Sequence, residues 1–595
     1  MGQINLDKEQ IKAIKAPIDK PVIVKAAAGT GKTTILVERI KYLRESGIPL
    51  NQILAFTYTN KAAEHMKQKI YKELNESIPY VGTIHSILES WIKPHLNLNS
   101  NYIELIDEED EIRLLNKCKR KLKKEQESPN ETIKRFNKKK LRIDTEWDKQ
   151  DDELFKNYKE IMSAHGKLSF NDILTNTLEL LETRPDFLKQ IQNKYKAIFI
   201  DEVQDITEVQ FQIIKKILKG QPNINFFAVG DPNQCIFQFA YAKENTFEEL
   251  DNFFEQELKV QPTKVNLNVN YRSDQLIVGY GNDVRSIKEG IPLSISHSQK
   301  KGEIREISKE QVLEILKKES ENSNLGKWAC LTRSINKPTV SFLISAMKKK
   351  IPFQLTKFHD LLRDPAKYKR IKKEPKLIIL FTQISFFDDK KILYEIIRTL
   401  DFPTGKKDTT WQLVQGIQDL SKNIKNKTVL QALLDRDIDI QEISIPYEDK
   451  NFFYQHLAFI QSLKMAEKTN LKEFIEKHIF PYFRNKSYEP EFSEEIMLLM
   501  YWIDCTQKQN NLTSEELAAN IMFLINPGNK ETAKLAESNE NQLIISTVHK
   551  AKGLEWDNLI VIDEWTKNRK KDKNLPYVAY TRARNKLLLI KNSDK

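Results

Sequence analysis

Apolar residues along this chain fall into short unbroken runs, each separated from the next by stretches of helical period. Val22-Ile23-Val24, Ile53–Phe56, Ala197–Ile200 and Asn225–Val229 are such runs, and the stretch from Ile35 to Leu43 shows apolar positions recurring every three or four residues. A short run apolar at every position predicts a strand buried on both faces. Strands alternating with helices predict a parallel sheet joined by right-handed crossovers. A second set follows at Trp328–Leu331, Leu543–Ser546, Leu559–Ile562 and Leu587–Ile590, which predicts a second sheet. Two long segments of helical pattern, residues 91–177 and 381–535, interrupt these sets. The most apolar stretch, Leu377 to Phe387, is broken by Thr382, Gln383 and Ser385. It is shorter than the about 20 residues that span a bilayer, so it reads as a core helix, and no membrane association is expected.

The strand ends carry the chemistry. After Val24 the chain runs Ala26-Ala27-Ala28-Gly29-Thr30-Gly31-Lys32-Thr33 and enters a helix. Strand, small-residue loop and helix form the setting of a phosphate-binding loop, whose backbone N–H groups and helix N-terminus face an anion. Ala28, Gly29, Thr30, Gly31, Lys32, Thr33 and Thr34 make up the expected cradle. Lys32 is expected at the β- and γ-phosphates, and the Thr33 hydroxyl on Mg²⁺. The first position of the general pattern is Ala26 instead of Gly. The run Ala197–Ile200 ends in Asp201-Glu202-Val203-Gln204-Asp205. Carboxylates at the carboxyl end of a buried strand lie where α/β sheets take their ligands. Asp201 is expected to hold Mg²⁺, directly or through water, and Glu202 to orient and activate an attacking water. A solvated acidic turn is the plainer reading of the same residues. Gln10 lies upstream, with an amide able to pair both edges of an adenine.

The chain has 595 residues, enough for about three to five domains. Its 95 Lys and Arg against 83 Asp and Glu leave a net charge of +12. Such a surface attracts phosphate polymers, although many Lys-rich proteins are merely basic. Cys118, Cys235, Cys330 and Cys505 are far apart, with no CxxC pair, which argues against zinc and a disulfide framework. The polar start, Met1 to Gln10, is no signal peptide. A cytoplasmic location is expected.

Further residues carry a family pattern. Ile53-Leu54-Ala55-Phe56-Thr57-Tyr58-Thr59-Asn60-Lys61-Ala62-Ala63, Val81-Gly82-Thr83-Ile84-His85-Ser86, Asp201 to Asp205, Val229-Gly230-Asp231-Pro232-Asn233-Gln234, Asn270-Tyr271-Arg272-Ser273, Thr547 to Glu555, and Tyr577-Val578-Ala579-Tyr580-Thr581-Arg582-Ala583 appear in this order. Together they resemble motifs Ia to VI of the UvrD, PcrA and Rep branch of superfamily 1 helicases. The resemblance implies an α/β fold with two RecA-like parallel-sheet P-loop cores and two mainly helical accessory insert domains. The first core would take residues 1–90 and 178–262, with 91–177 as its insert. The second would take 263–380 and 536–595, with 381–535 as its insert. The resemblance implies that Gln10 reads adenine, Tyr271 stacks on it and Glu555 binds the ribose. Gln234 would sense the γ-phosphate. Arg272 and Arg582 would approach that phosphate from the second core, where an arginine finger is worth roughly 10³–10⁵ in rate. Thr57, Tyr58, Thr83, His85, Phe237, Phe239 and His549 would line a single-stranded DNA path, the aromatic faces stacking on bases.

There are departures. Phe239 replaces the family's usual Trp, Ala240 its usual Arg and Gln238 its usual Gly, while Lys550 stands where Ser is frequent. These changes put the coupling of ATP to DNA in question more than ATP sensing. Lys117 to Lys124 and Lys134 to Arg142 are basic runs in the first insert, and read either as a guide for DNA or as a solvated helix face. The chain stops soon after Ile590, which suggests no C-terminal tail or nuclease. The expected activity is ATP-dependent 3′–5′ unwinding or translocation on single-stranded and tailed duplex DNA, in repair, recombination or replication. The alternative is a DNA-activated ATPase that regulates a partner nuclease in an anti-phage system of the Gabija type.

Overall fold

The computed structural model describes residues 6–95, 104–106, 108–121, 128–143, 147, 149–164, 166–221, 225–238, 241–243, 245–287, 291–335, 337–355, 373–405, 409–422, 424, 426–485, 493–509, 513–521, 541–563, 565 and 573–591. The chain forms two compact units. One comprises Met1–Arg305 with Val548–Leu589, the other Glu306–Thr547 with Ile590–Lys595.

The strands of the first unit, in chain order, begin with β1 (Val22–Ala26), β2 (Ile53–Thr57) and β3 (Val81–Thr83). Next come β4 (Glu104–Ile106), β5 (Lys167–Ser169), β6 (Ala197–Ile200), β7 (Asn225–Gly230) and β8 (Thr263–Leu267). Its main sheet has the order β3-β2-β6-β7-β1-β8. Every pairing in that sheet is parallel. β6 and β7 are buried along their whole length. Their side chains alternate between two cores, as the twofold repeat of a strand requires. Ile198, Ile200, Phe226 and Ala228 enter one core, and Ala197, Phe199, Phe227 and Val229 the other. Helices therefore cover both faces, and the carboxyl ends of β1, β6 and β7 remain the natural ligand edge.

The segment between β3 and β6 is largely helical, with helices Glu108–Lys121, Pro129–Lys140 and Lys149–Ala164 around Leu115, Phe136 and Tyr158. β4 and β5 form a separate parallel pair. Several cations of the second basic run have internal partners. The Lys140 ammonium is buried 2.9 Å from Asp172 and 3.2 Å from Glu111, and it donates to Ser169 Oγ at 3.0 Å. Arg135 pairs with Asp151 and Arg142 with Glu182. Internal bracing accounts for the charge of Lys140 and Arg135, while the Arg142–Glu182 pair lies in the solvent-exposed surface.

In the second unit, strand Leu543–Thr547 lies between Trp328–Thr332 and Phe353–Leu355, parallel to both. The other described residues of that unit are mainly helical. Lys373–Phe386 is a helix whose residues from Leu377 to Ser385 are all buried, as its apolar stretch predicts. Among the described residues, no helix is long and apolar enough to cross a membrane.

Candidate nucleotide and nucleic-acid site

The phosphate-binding loop leaves β1 and enters helix Lys32–Glu45. Gly29 and Gly31 take φ of +74° and +83°, the left-handed region that glycine enters without a Cβ clash. A Cβ on Gly29 would lie 2.7 Å from Asn270 Oδ1. Asn270 uses that closeness, donating to the Ala28 carbonyl at 2.8 Å and accepting from the N–H groups of Arg272 and Ser273, each at 2.8 Å. The Thr30 hydroxyl donates to the Ala27 carbonyl and the Lys32 ammonium to the Ala26 carbonyl, at 2.8 and 3.2 Å. Thr33 and Thr34 lie in the first turn of the helix that follows.

β6 delivers Asp201 and Glu202. Glu202 has φ +52° and ψ +47°, a conformation that costs an L residue about 1–2 kcal/mol. Gln204 Nε2 donates to its carboxylate at 2.5 Å, and Gln204 Oε1 accepts from the Asp231 N–H at 3.0 Å. Gln204 thus ties the end of β6 to the end of β7. Burial, then the adjacent Glu202 charge, pushes the Asp201 carboxyl upward. Glu202 is held low: burial works against its charge, but Lys32 and Lys552 outweigh it. Of the two, Glu202 is the one held ionised.

A series of hydrogen bonds runs from the loop to the arginine. The Ala28 N–H donates to Tyr577 Oη at 3.2 Å, and that hydroxyl donates to Asp231 Oδ2 at 3.0 Å. Gln234 Nε2 donates to the same oxygen at 2.8 Å, and Arg582 Nη2 donates to Gln234 Oε1 at 3.2 Å. Arg582 is 2% exposed. Its other bonds go to the carbonyls of Val578 and Leu554 and the hydroxyl of Thr581. Burial and the nearby Arg272 charge lower its pKa. Among the described residues no carboxylate reaches it within ion-pair distance, although the Glu202 and Glu555 charges act on it from farther off.

Arg272 pairs with Glu555 and donates to the Thr581 carbonyl at 3.1 Å. The other Glu555 oxygen pairs with Arg584. Glu555 is held low: burial opposes its charge, and the two guanidinium groups prevail. Gln10 is buried at the rim of the loop. Its Oε1 caps the Asp7 N–H, and its Nε2 donates to the Thr30 carbonyl at 3.1 Å. Tyr271 keeps 39% of its surface exposed, and its hydroxyl donates to Asp7 at 2.9 Å. The His297 ring lies 4.9 Å from the Tyr271 ring.

Among the nucleic-acid candidates, Tyr58, Phe237 and His549 lie together. The Tyr58 and Phe237 rings stack at 4.6 Å and 26°, and His549 lies 6.0 Å from Phe237. Thr57 is buried, with its hydroxyl bonded to the Thr59 carbonyl. Thr83 caps helix Ile84–Ile92, and His85 stands in the first turn of that helix. Burial keeps the His85 pKa below the ordinary histidine value. Phe239 lies outside the described residues.

Four further residues have contacts that single them out. Phe170 is 52% exposed and meets the His85 ring edge-on at 5.7 Å. It opens a helix just after the capping residue Ser169, which is the local signal for an outward aromatic. Asn270 and Tyr577 bond the phosphate loop, and their roles follow from pairings across hundreds of residues. Lys552 pairs with Asp205 and donates to the Gln234 carbonyl at 2.7 Å.

A family profile described as the UvrD/REP helicase N-terminal domain matches residues 6–255. A second, the UvrD-like helicase C-terminal domain, matches residues 265–594. A probable DNA helicase II homolog of Mycoplasma capricolum is 29% identical over 302 residues, which cover 47% of this chain and 40% of that protein. The ATP-dependent DNA helicase PcrA of Staphylococcus aureus (strain MRSA252) is 23% identical over 97% of this chain and 82% of its own length. The PcrA of Staphylococcus epidermidis is 24% identical over 99% and 83%. With the second profile covering more than half of the sequence and the first most of the remainder, the chain belongs to the UvrD-like family of ATP-dependent DNA helicases.

Proposed function

We propose that the chain is an ATP-driven motor that moves 3′ to 5′ along single-stranded DNA and separates tailed duplex, in repair, recombination or replication. The observation that carries this reading is the unbroken series Ala28–Tyr577–Asp231–Gln234–Arg582, in the same compact unit as the Tyr58–Phe237 pair. The polarity rests on family resemblance.

In this reading Glu202 takes the proton of the attacking water. Lys32, Arg272 and Arg582 balance the charge that develops on the transferred phosphoryl group. Thr33 and Asp201 offer the hard oxygen donors that Mg²⁺ takes, and the ion would neutralise charge on the β- and γ-phosphates when bound. Tyr271 presents its half-exposed ring to the adenine. Gln10 reads the base through its remaining amide capacity, and Glu555 takes the ribose. Thr57, Thr83, His85 and His549 contact the DNA backbone, while Tyr58, Phe237 and Phe239 stack on bases. The four-part division expected from the sequence, two cores each with a helical insert, belongs to the same proposal. The relatives carry helicase names, so the nuclease-regulating alternative gains nothing from them.

The test is strand separation by the purified chain on duplexes with a 3′ or a 5′ single-stranded tail, with Glu202→Gln as control. Unwinding of the 3′-tailed substrate alone is expected. Unwinding of the 5′-tailed substrate would refute the polarity, and a lack of DNA-stimulated ATP turnover would refute the motor.

A further inference from the structure

Two buried carboxamides, Asn233 and Asn574, bracket the turn that carries Gln234. Asn233 is 1% exposed. Its Nδ2 donates to the Ile287 carbonyl at 3.0 Å, and its Oδ1 accepts from the Ile287 N–H at 2.7 Å. One side chain thus pairs both backbone groups of a distant residue, as a neighbouring strand would. Asn574 is 3% exposed. Its Nδ2 donates to the Cys235 carbonyl at 2.8 Å, and its Oδ1 accepts from the Ser286 hydroxyl. The two amides therefore interlock three pieces of chain: the turn at 231–235, the segment 286–287 and the start of helix Leu575–Tyr580.

That helix is gripped by the turn along its whole length. Before its first residue, Asn574 holds the Cys235 carbonyl. Within it, the Tyr577 hydroxyl donates to Asp231 Oδ2 at 3.0 Å. Past its end, Arg582 Nη2 donates to Gln234 Oε1 at 3.2 Å. The backbone continues the linkage: the Val578 N–H donates to the Asn574 carbonyl at 3.1 Å, and Arg582 Nε donates to the Val578 carbonyl at 3.0 Å. Slack is small on the other side too. A Cβ on Gly281, in helix Gln275–Val284, would lie 3.2 Å from Thr581 Cγ2. A shift at Asn574 is therefore passed to Gln234 through the adjoining Cys235, and to Arg582 through the helix.

We propose that Asn574 and Asn233 are positioning residues that set the Arg582 guanidinium and the Gln234 carboxamide against the transferred phosphoryl group. This rests on the ATP-hydrolysing reading above. An amide suits both places, because each side chain must donate to a carbonyl and accept from an N–H or O–H at once. A carboxylate at 574 would meet the Cys235 carbonyl with no proton to give, and one at 233 would meet the Ile287 carbonyl in the same way. Misplacing a reacting group by about 1 Å can cost on the order of 10²-fold in rate. Neither amide bonds to the phosphate loop, so the effect falls on the transition state and not on nucleotide binding.

The experiment measures kcat and KM for ATP of the full chain at saturating oligo-dT. The variants are Asn574→Asp, Asn233→Asp, Arg582→Ala and Asn574→Asp combined with Arg582→Ala. Calorimetry adds the affinities for ADP alone and for ADP with aluminium fluoride, a mimic of the phosphoryl group in transfer. Asn574→Asp is expected to lower kcat about 10- to 100-fold while KM stays within about threefold, and Asn233→Asp to act in the same direction. Affinity for ADP should hold, while affinity for the fluoride complex should fall with kcat. In the Arg582→Ala background, Asn574→Asp should add little. A wild-type kcat, a loss carried by KM, equal weakening of ADP with and without fluoride, or a fully additive double variant would each overturn the proposal. If Asn574→Asp fails to fold, Asn574→Ala replaces it, since it removes the donor without adding a charge; a kcat within about twofold of wild type would then refute the proposal. A wild-type chain without ATP turnover refutes the hydrolytic reading itself, an outcome distinct from a failure of the two amides.

Discussion

At the ends of β1, β6 and β7 the polar side chains are mostly buried and bonded to other protein groups. At the end of β2, Tyr58 keeps 40% of its surface exposed, and its ring meets another ring and a cation. The first region suits a reaction whose charge develops in one fixed place, where dipoles set in advance need no reorganisation. The second suits a polymer of changing sequence, because every base offers a face to stack while few offer the same hydrogen bonds. The two regions therefore answer differently to substitution.

The sharpest separation is expected at Glu202. Glu202→Gln keeps the size and the αL backbone but cannot take a proton, so ATP turnover should fall by about 10³-fold or more with the melting temperature nearly unchanged. Turnover within tenfold of wild type would remove Glu202 from the chemistry. Arg582→Ala should reduce kcat by about 10³-fold as well, and should also destabilise the fold, since Gln234 Oε1 loses its donor. Steady-state kinetics beside thermal melting separate the two effects. At the Tyr58–Phe237 pair the changes are smaller. Phe237→Ala should weaken oligo-dT binding by about 1–3 kcal/mol, read by fluorescence anisotropy, and by more than it lowers DNA-free turnover. Equal losses in both would make Phe237 a packing residue.

The smallest effect concerns pH. Burial depresses the His85 pKa, so the unfolded chain takes up that proton first as pH falls. His85 thus contributes stability that is full above about pH 6.5 and declines as pH falls towards its folded pKa. Subtracting the stability–pH curve of His85→Gln from that of wild type should show this slope. A flat difference would place His85 in water.

Much of the first sheet was legible because β1, β2, β6 and β7 are apolar at nearly every position, a pattern only doubly covered strands produce. β3 and β8 were not recognised. β3 spans only Val81–Thr83, and β8 alternates polar Lys264 and Asn266 with apolar Val265 and Leu267 at the edge of the sheet. The placement of Lys32, Asp201 and Glu202 just beyond the carboxyl ends of buried strands could be read from the apolar runs that precede them. The work of Asn270, Tyr577 and Lys552 could not. Their partners lie far along the chain, at Ala28, Asp231 and Asp205, and no local pattern announces such pairings. The same holds for Lys140, which looks like one more residue of a basic run until its buried carboxylates are seen.

The fit between Gly29 and Asn270 also constrains how this sequence can drift. A side chain gained at position 29 would collide with Asn270 at 2.7 Å, besides straining a backbone at φ +74°. Room could be made by shrinking residue 270, but Ala or Ser there surrenders the carboxamide that holds the Ala28 carbonyl and the N–H groups of Arg272 and Ser273. Either single change therefore carries a penalty that the other does not repair. Descendants of this chain are expected to keep both residues or to lose both together with a rebuilt arginine turn, leaving a correlated pair of positions separated by most of the first unit.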